Sequence, residues 1–462
     1  MNARVVLLGG GYVTLFAYRA LMRRLGRQVR SGRAEIVVIS PDDAHSFHGF
    51  TGEVIAGILP YERTRTPLAE VMPHARILPA RAVRIDRRQR LVEIERVDDG
   101  VRSDLSYTAL VVGTGGREPV GRVPGMAHHG RTLRGPGDIL ALSDRVATAV
   151  DAPAGSVDRR ILVVGGGLAG VELAAAAADR GAGDLQVTLV HSGPRLLPEL
   201  DDQPRLRARA RAELIRLGVA VRTGVRVAAV DDGGARLADG TYLRAGTVIA
   251  TVGQAPVAIG GLEEFGDERG RLATGPDLSV TTGIWAAGDA ARVVRPGTRE
   301  PVPANALWAI KAGAHAGANV AASLHTDLGL PGYAGRVRRP FTYRGLGRAA
   351  SFGLGRSISE LYGIPFTGAL AWVLRMVFFL RFMPSRRRAL AVVGDLVSVR
   401  GRVRGADRRG VQQTVPTAGA GFSVGRSGVP QVVPAAAAPR SLVSRSGSRP
   451  EPAPSRLPVR QA

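Results

Sequence analysis

The sequence predicts an α/β fold in which one strand–turn–helix unit is built twice. Three observations carry that expectation. Two short apolar runs, one from Arg4 to Leu8 and one from Arg159 to Val164, each meet a glycine-rich turn and then a helical pattern. Of the residues, 45% are hydrophobic, mostly Ala, Val and Leu with few aromatics, a mix that suits parallel sheets covered by helices. A chain of 462 residues has room for about three structural units, and the internal repeat accounts for two of them.

In the first unit the strand ends in "GGGYVT", and "LFAYRALMRRL" follows as the helix. A second strand spans Ala34 to Ile39. Residues 41–75 form an irregular stretch too long to be filler, which marks it as functional. Residues 76–112 alternate like short strands and end in "ALVVGTGG". In the second unit the strand meets "GGGLAGVELAAAAADRG", its partner strand spans Gln186 to Val190, and residues 219–253 again read as short strands. "GIWAAGDAARV" at 283–293 precedes a helix expected from Ala304 to Leu324. Beyond Gly335 the character changes. Residues 366–383 are apolar on nearly all sides, interrupted by Arg375 and Arg381. From Gly401 the chain is Pro, Ala, Ser, Gly and Arg without periodicity, a composition expected to be disordered.

The formal net charge is +24. It does not point to nucleic acid, because Lys311 is the only lysine and the excess is arginine concentrated beyond residue 380, the signature of a coding bias. The chain has no cysteine, which excludes structural disulfides, thiolate metal sites, Cys-held iron–sulfur clusters and any internal dithiol relay. No metal site is expected. No signal-like segment precedes the first strand, so the cytosolic side is the expected location.

The turns carry the chemistry. Gly9, Gly11 and Thr14 occupy the GxGxxG positions, where the first residue makes the tight turn, the second lets backbone approach a pyrophosphate and the third brings helix close to strand. The helix N-terminus then receives the phosphate. Thr14 departs from the pattern by adding bulk. Gly165, Gly167 and Gly170 form a complete second turn in the strand-to-helix context it requires, with Glu172 two residues on. The place of the ribose-binding acid holds Ser40 in the first unit, with Asp42 and Asp43 just after, and His191 in the second. A missing carboxylate at His191, with Arg195 four residues on, leaves both NADH and NADPH open. In "TGIWAAGDA", Gly288 and Asp289 can set a carboxylate on the ribityl hydroxyls of a flavin. Val83, Thr114 and Gly253 complete the candidate cofactor contacts.

These stretches resemble the flavin reductases that hold FAD and NAD(P)H in paired Rossmann-like domains. Within that group the sequence is most similar to the type II NADH dehydrogenases, the single-chain, non-pumping NADH:quinone oxidoreductases. "EIVVISPDDAHSFHGFTGEVIAG", with His45 and Phe47, resembles the family's second strand and loop; "ILVVGGGLAGVELA" resembles its nucleotide turn; "PANALWAIKAGAHAGANV" sits where the family has its quinone-adjacent helix; and residues 345–382 resemble its membrane-associated segment. The resemblance implies FAD at the first turn and a nicotinamide cofactor at the second. It also implies Glu172 near both rings, and a membrane quinone beside Ala306, Leu307, Lys311 and the C-terminal helix. The family's two Gln positions are Leu307 and Lys311 here; Lys311 can donate but not accept, and its charge suits a reduced flavin.

The implied organisation is a discontinuous FAD domain (1–118 and 271–334), a NAD(P)H domain (119–270), a C-terminal membrane-associated region (335–400) and a tail (401–462). The apolar run 366–383 is too short for a span of ~20 residues. It is expected to lie in the interface on the cytoplasmic face of the membrane, with Arg375 and Arg381 snorkelling, Trp372, Phe378, Phe379 and Phe382 at headgroup depth, and Arg386 to Arg388 on anionic lipid. Burial in a homodimer interface is the alternative. A soluble reductase serving an iron–sulfur protein, or a flavin-bound regulator with little turnover, are the rival functions.

Overall fold

The computed structural model of the chain describes residues 3–135, 137–327 and 338–398; the expected disordered tail lies outside them. Both predicted units form. The first sheet has eight strands in the order Ser279–Thr281, Ile284–Ala286, Ala109–Val112, Ala3–Leu8, Ala34–Ser40, Arg76–Asp86, Leu91–Arg96, Arg102–Ser106. Its five central strands are parallel. The second sheet has five parallel strands in the order Gly130–Arg131, Thr247–Ala250, Arg160–Val164, Gln186–His191, Ala220–Thr223. In each, the strand that leads into a glycine turn is central and buried on both faces: Val5 to Leu8 are fully buried, as are Ile161 to Val163 to within 1%. That is why these runs are continuous in apolar residues rather than alternating.

Helix Tyr12–Arg30 follows the first turn, and helix Ala306–Asp327 crosses it. Two glycines permit the crossing. A Cβ on Gly313 or on Gly317 would stand 2.5 Å from the carbonyl oxygens of Val13 or Ala17. The long helix is thereby pressed onto the backbone of helix Tyr12–Arg30, and Ala306 and Ala309 near its N-terminal end reach the space in front of the first turn.

The irregular stretch 41–75 is organised rather than loose. It contains the hairpin Ala44–Ser46 with Arg65–Pro67, a 3-10 turn His48–Phe50 and a short helix Thr51–Ile55. The apolar run 366–383 is not one helix. Strand Ile364–Thr367 closes a three-stranded antiparallel sheet with Gly347–Ser351 and Ser357–Leu361, and helix Gly368–Phe382 starts only at Gly368, whose φ of +68° turns the chain. A second helix covers 386–398.

The snorkelling expected of Arg375 is overturned. It is 3% exposed and points into the protein, because two carboxylates wait there; Arg381 is the exposed one. Phe379 also faces inward, packing edge-on against Phe47 (6.0 Å) and Phe50 (5.6 Å), and Arg388 is engaged with the Glu62 carbonyl and the Glu70 carboxylate. The outward side is aliphatic instead. Leu370, Val373 and Val377 stand exposed on the first helix, and Leu390, Val393 and Val397 repeat the same spacing on the next. No helix among the described residues is long and apolar enough to cross a membrane.

Candidate functional site

The first turn opens onto a cleft of about 540 Å³. Gly9 adopts φ +97°, and a Cβ there would meet the Gly113 carbonyl oxygen at 2.6 Å. Backbone bonds tie the turn down, from Gly9 N–H to Ile39 O (2.8 Å) and from Gly113 N–H to Leu8 O (3.0 Å). The cleft is lined by Gly9, Gly11, Ser40, Asp42, Val83, Thr114, Gly288, Asp289 and Ala306. Chain segments far apart in sequence thus converge on one elongated space, with a helix N-terminus at its middle, and this is a fit for a dinucleotide.

Thr14 and Leu307 do not line it. Thr14 is buried behind the turn, where its hydroxyl donates to the Leu8 carbonyl (3.3 Å); the extra bulk is absorbed by a hydrogen bond. Leu307 is buried within the long helix. Ser40 donates to the Asp42 carbonyl (2.7 Å), and the Asp42 carboxylate is held by Arg65 (2.8 Å). Behind the turn, buried His45 donates from Nδ1 to the Gly10 carbonyl (3.0 Å). Burial pushes the His45 pKa down to about 4, so the ring is neutral.

The second turn repeats the geometry more tightly. Gly165 has φ +118°, and a Cβ on Gly170 would stand 1.8 Å from the Gly165 carbonyl oxygen. Thr251 supplies the hydroxyl here, donating to Gly165 O (3.0 Å). Gly253 lies just beyond, at φ +93°. His191 Nδ1 accepts from Gly166 N–H (3.1 Å), which places the ring proton on Nε2; burial lowers its pKa. At the helix start, Leu168 N–H donates to Glu199 Oε1 (3.3 Å), and a Cβ on Gly167 would stand 2.5 Å from the same oxygen. Glu199 is exposed, so this carboxylate sits over the amides that a pyrophosphate would take.

Glu172 belongs to a group whose other two members, Glu53 and Arg375, sequence reasoning misses. Arg375 donates to Glu53 (2.6 Å), to the Gly49 carbonyl (2.9 Å) and to Glu172 (3.2 Å). Glu172 also accepts from Ser351 N–H (2.7 Å). Burial raises the Glu172 pKa, and the Arg375 charge offsets part of that. The three side chains come from the irregular stretch, the second nucleotide helix and the C-terminal helix. The available signal is an arginine alone in an apolar helix, which calls for a buried partner as well as for a lipid headgroup.

Lys311 is exposed and stands over the Tyr343 ring, 5.8 Å from its centroid; it is not among the residues lining the cleft. Three arginines, Arg81, Arg117 and Arg134, line the cleft, and of these Arg134 bonds Asp289 (2.9 Å). Among the described residues no cluster of His, Asp and Glu could hold a metal ion.

Comparison with known proteins agrees with this geometry. A family profile described as pyridine nucleotide-disulphide oxidoreductase matches residues 3–313. Demethylphylloquinone reductase NdbB of Synechocystis is 28% identical, with 84% of this chain and 94% of that protein covered. The type II NADH:quinone oxidoreductase of Staphylococcus saprophyticus is 25% identical, covering 81% and 93%. A solved structure of NDH2 from Plasmodium falciparum in complex with NADH has the same fold, with a TM-score of 0.75, 13% identity and coverage of 87% and 98%.

Proposed function

The chain belongs to the pyridine nucleotide-disulphide oxidoreductase family, and from that premise we propose that it is an FAD-dependent NADH dehydrogenase that delivers electrons to a membrane quinone. The family name includes a disulphide, but this chain has no cysteine; electrons therefore leave the flavin for an outside acceptor without a dithiol relay. Bound FAD would supply the hydride acceptor for a reduced nicotinamide and the store for its two electrons. The protein's own residues bind, orient and manage protons around it.

One observation carries the reading: buried Glu53 and Arg375 and half-buried Glu172 join the first unit, the second nucleotide helix and helix Gly368–Phe382 in one ion triad. Gly9, Gly11 and Thr114 shape the backbone cradle that would hold the flavin nucleotide, and Asp289, in the same cleft, would hold the ribityl hydroxyls. Gly165, Gly167 and Gly170 do the same for the nicotinamide nucleotide. Glu172 holds a proton more readily than an ordinary carboxylate, and Arg375 fixes its orientation. Reducing a quinone consumes two protons, and Glu172 stands where the nicotinamide helix meets the C-terminal helix, which suits it to pass one on. At the end of strand Gln186–His191 stands a neutral imidazole in place of a carboxylate, so a 2′-phosphate would meet no repulsion from that position and both NADH and NADPH stay open.

The aliphatic stripes on helices Gly368–Phe382 and 386–398, flanked by exposed Arg381, Arg386 and Arg387, suit peripheral attachment to an anionic membrane on its cytoplasmic face. Each well-placed Arg is worth about 1 kcal/mol there. The relatives named for quinone reduction support the same acceptor. The test is stopped-flow bleaching of the flavin with NADH and with NADPH, followed by reoxidation with a menaquinone analogue, a ferredoxin or oxygen. Fast bleaching and fastest reoxidation by the quinone are expected. Protein that bleaches but prefers ferredoxin has a different acceptor, and protein that stays yellow with both nicotinamides is not a dehydrogenase.

A further inference from the structure

Asp289 belongs to the first unit, yet two side chains of the second unit close on its carboxylate. Arg134 donates to Oδ2 at 2.9 Å, and the Gln254 amide, in the orientation its neighbours dictate, donates to the same oxygen at 3.0 Å. Arg134 stands on the segment after edge strand Gly130–Arg131, and Gln254 follows strand Thr247–Ala250 of the same sheet. The Arg134 segment is not loose. Asp138, at the start of helix Asp138–Asp151, accepts from Gly135 N–H (2.8 Å) and from the Thr132 hydroxyl. Arg134 is also 3.7 Å from the buried carboxylate of Glu118. Its guanidinium lines the flavin cleft and lies within electrostatic reach of Tyr12 and His48, which line the same cleft.

We propose that Arg134 is the second unit's contribution to the flavin site: it holds Asp289 for the ribityl hydroxyls and places a positive charge beside the flavin ring. The role expected of Lys311 thus falls to a residue on another domain. The proposal rests on the reading of the cleft as an FAD site. Two carboxylates and one guanidinium form the cluster, so removing the guanidinium leaves negative charge facing a ring that becomes more negative on reduction. The cost then falls on the reduced form more than on the oxidised one. A planar fork also suits Arg134 to bridge two carboxylates, which a lysine does less well.

The experiment strips FAD from the full-length protein and titrates it back into wild type, R134Q and R134K. It also measures sulfite affinity of the oxidised flavin. Sulfite adds its lone pair to flavin N5 and leaves negative charge on the ring, so its binding reads local positive charge independently of turnover. R134Q is expected to bind FAD about tenfold more weakly and sulfite about fivefold more weakly. R134K is expected to keep sulfite affinity within about twofold while losing FAD affinity by about fivefold, because charge survives and the fork does not. If R134Q does not fold, R134K decides by the same two readings. Lowered melting temperature with unchanged FAD and sulfite affinity would make Arg134 a domain latch and overturn the proposal. Wild-type protein that takes up no FAD would instead overturn the reading of the cleft itself.

Discussion

The two glycine turns share a backbone plan and differ in what fills the space in front of them. The first opens on a cleft lined by segments from Leu8 to Ala309, and Gly9, Gly10 and Gly11 line it directly. The second has its own side chains laid over it: His191 takes the Gly166 N–H and Glu199 takes the Leu168 N–H. Even the histidines are opposed. His45 donates to a carbonyl of the first turn, whereas His191 accepts from an amide of the second. A cradle lined by many chain segments suits a cofactor that stays, and a cradle with exchangeable internal partners suits a substrate that comes and goes. The difference teaches that the glycine pattern sets the cradle, while the residues packed around it set how long a nucleotide remains.

The largest test removes the joint between the two units. Arg375→Met leaves Glu53 and Glu172 facing each other in a buried space and is expected to cost about 3–5 kcal/mol in unfolding free energy. A drop below about 1 kcal/mol in denaturant titrations would mean that the units are held together by apolar packing alone.

His45 gives the next effect. Its pKa in the fold is about 4, below the usual 6.5, so the unfolded chain binds the proton first as pH falls. The stability that neutral His45 contributes is complete above about pH 6.5 and declines as pH drops toward 4, by about 3 kcal/mol in all. Urea melts at pH 4, 5, 6 and 7 should show this slope in wild type and a flatter one in His45→Asn. Equal slopes would show that the first turn does not depend on a neutral ring.

Exchanging the third residues of the two turns tests the backbone comparison. Gly170→Thr must force helix from strand, because a Cβ already stands 1.8 Å from Gly165 O, and is expected to cost about 2–3 kcal/mol and most nicotinamide affinity. Thr14→Gly removes one hydroxyl bond and a buried methyl, at about 1 kcal/mol. Equal costs, read by denaturant titration of the two variants, would remove the asymmetry between the turns.

The glycine turns are legible in the sequence because a pyrophosphate cradle is local: strand, turn and helix are contiguous, and each glycine answers a short-range steric demand. Ser40, Asp42 and Asp289 are legible by their place at or just after strand ends, whereas Val83 lies inside strand Arg76–Asp86, at its register shift. Arg375, Glu53 and Arg134 are not, since their meaning lies in partners up to hundreds of residues away, which one sequence does not display. Arg375 reads as a lipid-facing cation because an arginine on an apolar helix has two ways to satisfy its charge, and only the packed structure shows a carboxylate within reach. Thr14 looks like a defect for a similar reason: its acceptor, the Leu8 carbonyl, is visible only when the strand is in place.

The smallest effect addresses the carboxylate that stands in for a phosphate at the second turn. A carboxylate near a helix N-terminus is worth about 0.3–1 kcal/mol, and a nucleotide pyrophosphate must displace Glu199 to use the same amide. Glu199→Gln keeps the size and removes the charge, so NADH should bind about two- to fivefold more tightly, with FAD affinity unchanged because the first turn has no such competitor in its cleft. The gain should shrink as salt is added, since Glu199 is exposed and its field is screened. Tighter NADH binding that ignores salt would point to a steric effect. Weaker NADH binding would mean that Glu199 helps to hold the nucleotide, and the second turn would then grip its ligand as permanently as the first.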